Sequence, residues 1–343
     1  MQIVVPNLGH GDCTGIFKHD ECLIVDCGAG APKKYEMNVR VIGRSLGFKR
    51  KKSAILSHYH WDHYNLFPRI SPAPFDELFL PALPPKTATG DAILNFLSLA
   101  SVTGYKYYPF LPRFLKMAKA VHPCMKNSIF RTLGFQWEVL WPDYGIIDKV
   151  YRQELAWLGR EINRIKKKLE EDKRAEFERV YRRLSWACQE GDRLENLKET
   201  PYGEETCTRT GRNASFEIEG ALGGVEKVFK DVANGSSLVA RTINGGFLFT
   251  GDVESDILNS YLTLNDAEYF LAKAPHHGSH YGRGMQNLKT NILILSRKHE
   301  DKVRNEFYTE VNWGMLIDTA RQGTCVINAP TSPPFQVFVV SKS

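Results

Sequence analysis

The chain has 343 residues, 43% of them hydrophobic and 24% charged, with a formal net charge of +6. That composition supplies a large core and predicts one or two domains of roughly 150 residues each. No uncharged apolar run approaches the ~20 residues needed to cross a bilayer, and the mild positive charge permits a polyanionic substrate without demanding one.

Seven cysteines without pairing rhythm and without a Cys-x-x-Cys fit a reduced, cytoplasmic protein and argue against a zinc ribbon. The opening Met1-Gln2-Ile3-Val4-Val5-Pro6 lacks a basic lead and a long apolar segment. It reads as a first strand, not a secretion signal. Residues 2–28 read as two strands, with Ile3-Val4-Val5 and Cys22-Leu23-Ile24-Val25 as their apolar runs. Asn7-Leu8-Gly9-His10-Gly11-Asp12 supplies the turn, and Asp26-Cys27-Gly28-Ala29-Gly30 closes the second strand. A helix over 36–46 precedes a strand at 53–57.

Directly after Ala54-Ile55-Leu56 comes Ser57-His58-Tyr59-His60-Trp61-Asp62-His63. Three imidazoles and a carboxylate fall within six residues, in a chain with only ten histidines. His58 and His60 alternate in phase, so both can point to one side of a strand end. Asp62 and His63 follow on a turn and can face a second ion. Imidazole with carboxylate suits zinc, manganese or iron and not an all-oxygen calcium cage.

Glu77 to Pro81 reads as a strand, Asp91 to Ser98 as helical, and Phe135 to Trp141 as an alternating strand stopped by Pro142. Tyr105-Lys106-Tyr107-Tyr108, with Arg113, Lys116 and Lys119, is aromatic and basic. From 146 to 198, Tyr151, Leu155, Leu158, Ile162, Ile165 and Leu169 recur at steps of four and three. That is a narrow helical seam surrounded by charge. Val180, Leu184 and Ala187 continue it beyond the charged break Glu170–Arg174, as one long helix or as a helical hairpin. We expect one domain over 1–343 with this stretch, about 146–200, as an insertion. Ser236–Ala240 and Gly246–Thr250 flank Asn244-Gly245, a hairpin turn pair. A helix is expected from Asp256 to Leu264, and late strands at 291–295, 324–327 and 335–340.

Two further segments share the chemistry of the first. Thr250-Gly251-Asp252 places a carboxylate past an apolar strand, and Ala274-Pro275-His276-His277-Gly278-Ser279-His280 places imidazoles past another. Three strand ends converging at one edge supply donors for two metals, with Asp252 placed to bridge. Ions about 3.5–4 Å apart can hold a water between them and lower its pKa.

On these residues the chain resembles the metallo-β-lactamase-fold hydrolases, and more narrowly the hydrolase domain of the ComEC DNA-uptake proteins and its free-standing relatives. The matching pieces are Gly9–Asp12 with Ile24–Gly28, His58–His63, Asn234-Gly235-Ser236-Ser237-Leu238-Val239, Thr250–Asp252, Ala274–Ser279 and Ile317–Thr324. Residues 143–225 fall outside the resemblance. It implies an αββα sandwich, an α/β (α+β) architecture of two mixed sheets with helices outside and the site along one edge. His58 and His60 would hold a first metal, Asp62 and His63 a second, and Asp252 would bridge. His276 or His277 would complete the second site. Zn2+ or Mn2+, one or two ions per chain, is the implied cofactor. The wider superfamily completes the first site with a histidine before the bridging aspartate. This chain has none between His122 and His276, and Asn234 or Ser236 would lie there instead, placed against substrate.

Asp62, Asp252 and His280 are the expected catalytic residues. His280 would protonate the leaving group or, with Ser279, contact a phosphoryl oxygen. Asp12 and Asp26 can orient ligand imidazoles. His10, His19, His122 and His299 read as structural or solvated. The resemblance implies a phosphodiesterase or nuclease, with nucleic acid as substrate and no membrane partner. Alternatives are a hydrolase of small thioesters, lactones or lactams, and a subunit controlled by a protein partner or by self-association through the helical insertion. The basic clusters, including Lys166-Lys167-Lys168 and Arg182-Arg183, offer a path for a strand or simply a solvated helix face.

Overall fold

A computed structural model describes residues 1–70, 75–190, 216–331 and 339–342. Six strands come first: β1 (Gln2–Val5), β2 (Gly11–Lys18), β3 (Glu21–Ala29), β4 (Lys51–Ile55), β5 (Phe75–Pro81) and β6 (Ala118–Cys124). Seven follow: β7 (Ile129–Thr132), β8 (Phe135–Trp141), β9 (Val239–Thr242), β10 (Phe247–Phe249), β11 (Glu268–Lys273), β12 (Lys289–Leu295) and β13 (Asn312–Asp318). The last two are β14 (Cys325–Asn328) and β15 (Val339–Lys342). The first sheet runs β15-β14-β1-β2-β3-β4-β5-β6 and the second β13-β12-β11-β10-β9-β8-β7. Both are mixed. Strands β3 to β6 are parallel in one, β10 to β13 in the other, and the remaining neighbours are antiparallel.

The apolar runs in the sequence are continuous because both faces of these sheets are covered. Side chains alternate between faces along a strand. Leu23 and Val25 of β3 therefore enter a core between the sheets, beside Phe79, Trp137 and Phe247, while Cys22 and Ile24 face a helical layer. The second sheet repeats the pattern. Ile292 and Ile294 of β12 point into the intersheet core, and Leu293 and Leu295 into an outer cluster with Ile257 and Leu258.

The helices begin with α1 (Pro32–Leu46) and the single turn α2 (Phe67–Ile70). Pro32 suits the first turn of α1, where its missing N–H has no helical partner. Next come α3 (Ala88–Val102), α4 (Phe110–Leu115), α5 (Tyr144–Val150), α6 (Arg152–Lys166), α7 (Glu171–Ser185), α8 (Phe216–Gly235) and α9 (Ser255–Ser260). Thr87 caps α3 by accepting from the Gly90 N–H, and Asp143 caps α5 by accepting from Ile146. No helix among the described residues is long and apolar enough to cross a membrane.

The charged insertion is two helices, α6 and α7, joined by a turn at 167–170. Both lie against α3. Its seam of Leu155, Leu158, Ile162, Ile165 and Leu169 is buried in the same cluster as Phe96 of α3 and Phe229 of α8. Residues 191–200 of the expected insertion lie outside the described residues, as does most of the strand expected at 335–340. The segment 2–28 holds three strands, not two. The expected single connection contains β2 (Gly-Asp-Cys-Thr-Gly-Ile-Phe-Lys), whose Gly11, Asp12 and Gly15 are residue types depleted in strands and which is held by pairing on both sides.

Leu158 is fully buried. Leu158→Ala should lower the unfolding free energy by about 2–5 kcal/mol in denaturant titration. A loss under about 1 kcal/mol would place the α6 seam outside the cooperative core.

Candidate metal centre

The ends of β3, β4 and β10 are stitched together by short polar contacts. Ser57, just past β4, donates its N–H to Asp26 Oδ1 at 2.7 Å, and its carbonyl accepts from Leu238 N–H at 2.7 Å. The Asp252 N–H donates to Ser237 Oγ at 3.1 Å, and the His276 N–H to the Gly251 carbonyl at 3.2 Å. Gly251 is required twice over. Its φ is +53°, and a Cβ there would stand 2.9 Å from Ser237 Cβ and 3.0 Å from Ser57 Cβ. A Cβ on Gly28 would collide with the Asp62 carbonyl, so this glycine lets the histidine loop lie against β3. Asp26, His276 and His277 all hold positive φ, at 52°, 46° and 59°. Asp and His tolerate that region better than most residues, yet each such position costs on the order of 1–3 kcal/mol.

These constraints aim five side chains at one point. Asp252 Oδ2 lies 3.4 Å from His63 Nε2 and 3.9 Å from the Nε2 atoms of His58, His276 and His277. The ligand atoms of His58, His63 and Asp252 all fall within 4.8 Å of one another. The Nε2 atoms of His58, His60, His63 and His277, and Asp252 Oδ1, are buried without a hydrogen-bond partner. Buried polar atoms are almost always satisfied. The Nε2 atoms of His58, His63 and His277 converge on one carboxylate, which fits a shared cation, while His60 packs its ring 4.6 Å from that of His58 and is outside the Asp252 group.

The Nδ1 atoms of His277, His63 and His58 are occupied. His277 Nδ1 is 2.7 Å from the Ser296 carbonyl, which can only accept, so Nδ1 carries the proton and Nε2 presents its lone pair inward. His63 Nδ1 lies 3.0 Å from Asp26 Oδ2, and His58 Nδ1 3.0 Å from Ser57 Oγ.

Charge follows from burial and neighbours. Burial lowers the pKa values of His58, His60, His276 and His277, which keeps these imidazoles neutral. Burial alone would raise that of Asp252. The charge on His63 foremost outweighs it and holds the carboxyl well below its usual range. Burial works against a charged His63 too, but Asp252 and Asp26 prevail and lift it well above the ordinary histidine value. Beneath the site, burial pushes Asp12 up to about 6 despite its contact with Lys273. Burial disfavours the Lys273 ammonium, yet the fields of Asp12 and Asp252 keep it charged.

The other expected residues lie around this hub. Asp62 is outside the Asp252 group, and its carboxylate is 4.0 Å from His10 Nε2. His280 stacks edge-on to His276 and approaches Glu254. The Ser279 hydroxyl donates to the His276 carbonyl at 2.6 Å, and Ser236 donates to the last turn of α8. Asn234 Nδ2 donates to Glu254 Oε1 at 3.1 Å. The aromatic and basic stretch is mostly committed elsewhere. Tyr105, Lys106 and Tyr108 surround Glu226, Lys119 pairs with Asp76, and Lys166 pairs with Glu178.

Three residues here escaped the sequence reading. His10, read as structural or solvated, has its ring 4.6 Å from that of His277 and its Nδ1 3.5 Å from Asp301. It borders a cleft of about 350 Å3 with Lys34, Tyr35 and Lys298. Glu254 follows Asp252 too closely to stand out. Lys273 did carry a signal, as a lone cation in the apolar run Tyr269–Ala274.

No family model matches the chain, and no curated protein matches it. One solved structure, described as a protein of unknown function from Enterococcus faecalis V583, shares 16% identity over 40% of this chain and 36% of that chain. Its TM-score of 0.27 carries no argument about fold or function.

Asp26→Asn removes the carboxylate behind His63 while keeping its shape. It should weaken zinc binding about 10–100-fold in competition with a chromophoric chelator. Unchanged affinity would remove Asp26 from the site.

Proposed function

We propose that the chain is a metal-dependent hydrolase of the metallo-β-lactamase type, nearest the ComEC-like group, acting on phosphodiesters and on nucleic acid in particular. The observation that carries the reading is the set of unpartnered Nε2 atoms converging on Asp252. The helix-covered pair of mixed sheets, with this set at the ends of parallel strands, supports it, as does the resemblance of the motifs. His58, His60, His63, Asp252 and His277 would hold Zn2+ or Mn2+. When bound, such an ion supplies Lewis acidity toward a phosphoryl oxygen and draws the pKa of water toward neutrality.

The chain's own residues then divide the work. Asp252 contributes the anionic oxygen on which the imidazoles converge. Asp26 and Ser296 hold His63 and His277 in the tautomer that leaves Nε2 free. His10 borders a cleft that could admit substrate, with the Asp62 carboxylate 4.0 Å from its Nε2. The six described cysteines are buried and free, which suits the cytoplasm.

A second reading, hydrolysis of a small thioester, lactone or lactam, is favoured by one observation. The cleft beside His10, at about 350 Å3, is the size of a small-molecule site. Docking through the helical insertion loses support, because its apolar seam is already covered by α3 and α8.

The test is turnover of single- and double-stranded DNA, RNA and small esters by the purified protein with Mn2+ or Zn2+. We expect nucleic acid cleavage that a chelator removes and added metal restores. His60→Ala and Asp252→Ala should abolish it with the circular dichroism spectrum unchanged. Fast ester turnover with indifference to nucleic acid would select the second reading, and full activity in either variant would refute the site.

A further inference from the structure

The aromatic side chains of the histidine loop are of two kinds. Tyr59 and Tyr64 are fully buried, whereas Trp61, between His60 and Asp62, is half-buried. Trp61 packs against the cluster of the helical layer, and so does Phe110 at the start of α4. Tyr107, also half-buried, links these two. Its ring is 5.0 Å from that of Trp61 and 6.1 Å from that of Phe110. The Arg113 guanidinium stands 5.8 Å from the Phe110 ring. One line of half-buried rings therefore leads from the metal loop onto α4 and ends on a cation.

Positive charge continues the line. Lys116 follows α4 directly, and its pKa is lowered by partial burial and then by the fields of Arg183 and Arg113. The two guanidiniums thus stand close enough to Lys116 to oppose its charge. Like charges gathered by α4 and α7 repel one another, and an anion among them relieves the repulsion. The rest of this aromatic and basic stretch is spent internally, with Tyr105, Lys106 and Tyr108 on Glu226 and Lys119 on Asp76. Rings alone would suit any apolar partner. Rings that run into gathered cations suit a polyanion carrying flat bases, which stack on the rings while its phosphates meet the cations. A duplex hides its base faces in its own stack, so the line suits a single strand.

We propose that Trp61, Tyr107 and Phe110, continued by Arg113, Lys116 and Arg183, form a track that binds single-stranded nucleic acid and leads it to the metal loop. The proposal rests on the phosphodiesterase reading and narrows its substrate to strands with unpaired bases. Trp61 ties the track to the chemistry, because it is the neighbour in sequence of His60 and two residues from His63. A base stacked on its ring is held at the loop that supplies the imidazoles of the hub. Every base offers a face to an aromatic ring, so the track tolerates any sequence. Its grip needs no metal ion, since none of its six residues is a ligand of the hub.

The experiment is fluorescence anisotropy on the full chain in the presence of a chelator, so that nothing is cleaved. The probes are labelled oligothymidylate, its duplex with oligoadenylate, and an abasic strand of equal length. We expect the single strand to bind at least about tenfold more tightly than the other two. Tyr107→Ala should weaken single-strand binding by about 5- to 100-fold, and Tyr107→Phe should restore it. Arg113→Gln should reduce the steepness of log affinity against log salt by about 0.7, the effect of one phosphate contact. Arg113 is exposed, so this variant answers the question even if Tyr107→Ala fails to fold. Cleavage is then followed separately with Mn2+. Affinity unchanged in Tyr107→Ala and Arg113→Gln, with nucleic acid still cleaved, would overturn the track and leave the hydrolase reading standing. Duplex bound as tightly as single strand would also overturn it. Single-strand binding with the expected losses but without cleavage would uphold the track and overturn the phosphodiesterase reading. Neither binding nor cleavage would overturn both.

Discussion

A buried carboxylate surrounded by imidazoles constrains everything around it. Asp252 is 2% exposed, and four Nε2 atoms lie within 4 Å of its Oδ2. Such a group survives in a protein interior only if its charge is answered and its neighbours cannot drift. The topology meets the second condition. In parallel strands every carboxyl end falls on the same edge. Here β3 and β4 of one sheet, and β10, β11 and β12 of the other, bring Asp26, Ser57, Asp252, His276 and Ser296 to one rim. Ligands of open parallel sheets gather at such ends for the same reason.

Holding the rim has a local cost that the rest of the fold offsets. Asp26, His276 and His277 sit in the left-handed region, and Gly28 and Gly251 mark where backbones touch. These positions would relax if the strands could move. Strands covered on both faces cannot, since any shift opens a cavity either between the sheets or under the helices. The insertion contributes to this rigidity, because the α6 seam thickens the layer over α3 and α8. Packing far from the site therefore bears on the angles at which its imidazoles meet.

Residues whose chemistry is tied to a strand end were readable. His58, His60, His63, Asp252 and the pair His276-His277 stand out because each follows an apolar run, and of these His58, His63, His276 and His277 are found around Asp252. Residues that reach the site through pairing were not. His10 lies before β2, and only the antiparallel register Gly11↔Ala29 brings it to the rim. Glu254 gains meaning from His280, which arrives from another strand end. Elements behaved alike. The strands read as apolar runs were found, with boundaries moved by a few residues, except that the one expected at 335–340 lies mostly outside the described residues. Helix α8 was not anticipated, because Gly220, Gly223 and Gly224 depress its propensity. Burial of Leu222, Val225, Phe229 and Val232 at helical spacing supplies what propensity lacks.

The charges beneath the rim show how Asp252 is answered. Asp12, Asp26 and Asp252 are three carboxylates at most 2% exposed, and Lys273 is the ammonium among them. Asp12, at about 6, and Asp252, held well below the usual carboxyl range, are ionised at neutral pH, and Lys273 answers one of these charges. The other is left in a low-dielectric setting, while burial keeps His58, His60 and His277 neutral. The raised pKa of His63 is the response of a chain left to itself, with a proton drawn between Nε2 and Asp252. A divalent cation in place of that proton answers the Asp252 charge, and returns the His63 lone pair to the position that Asp26, behind the ring, already enforces.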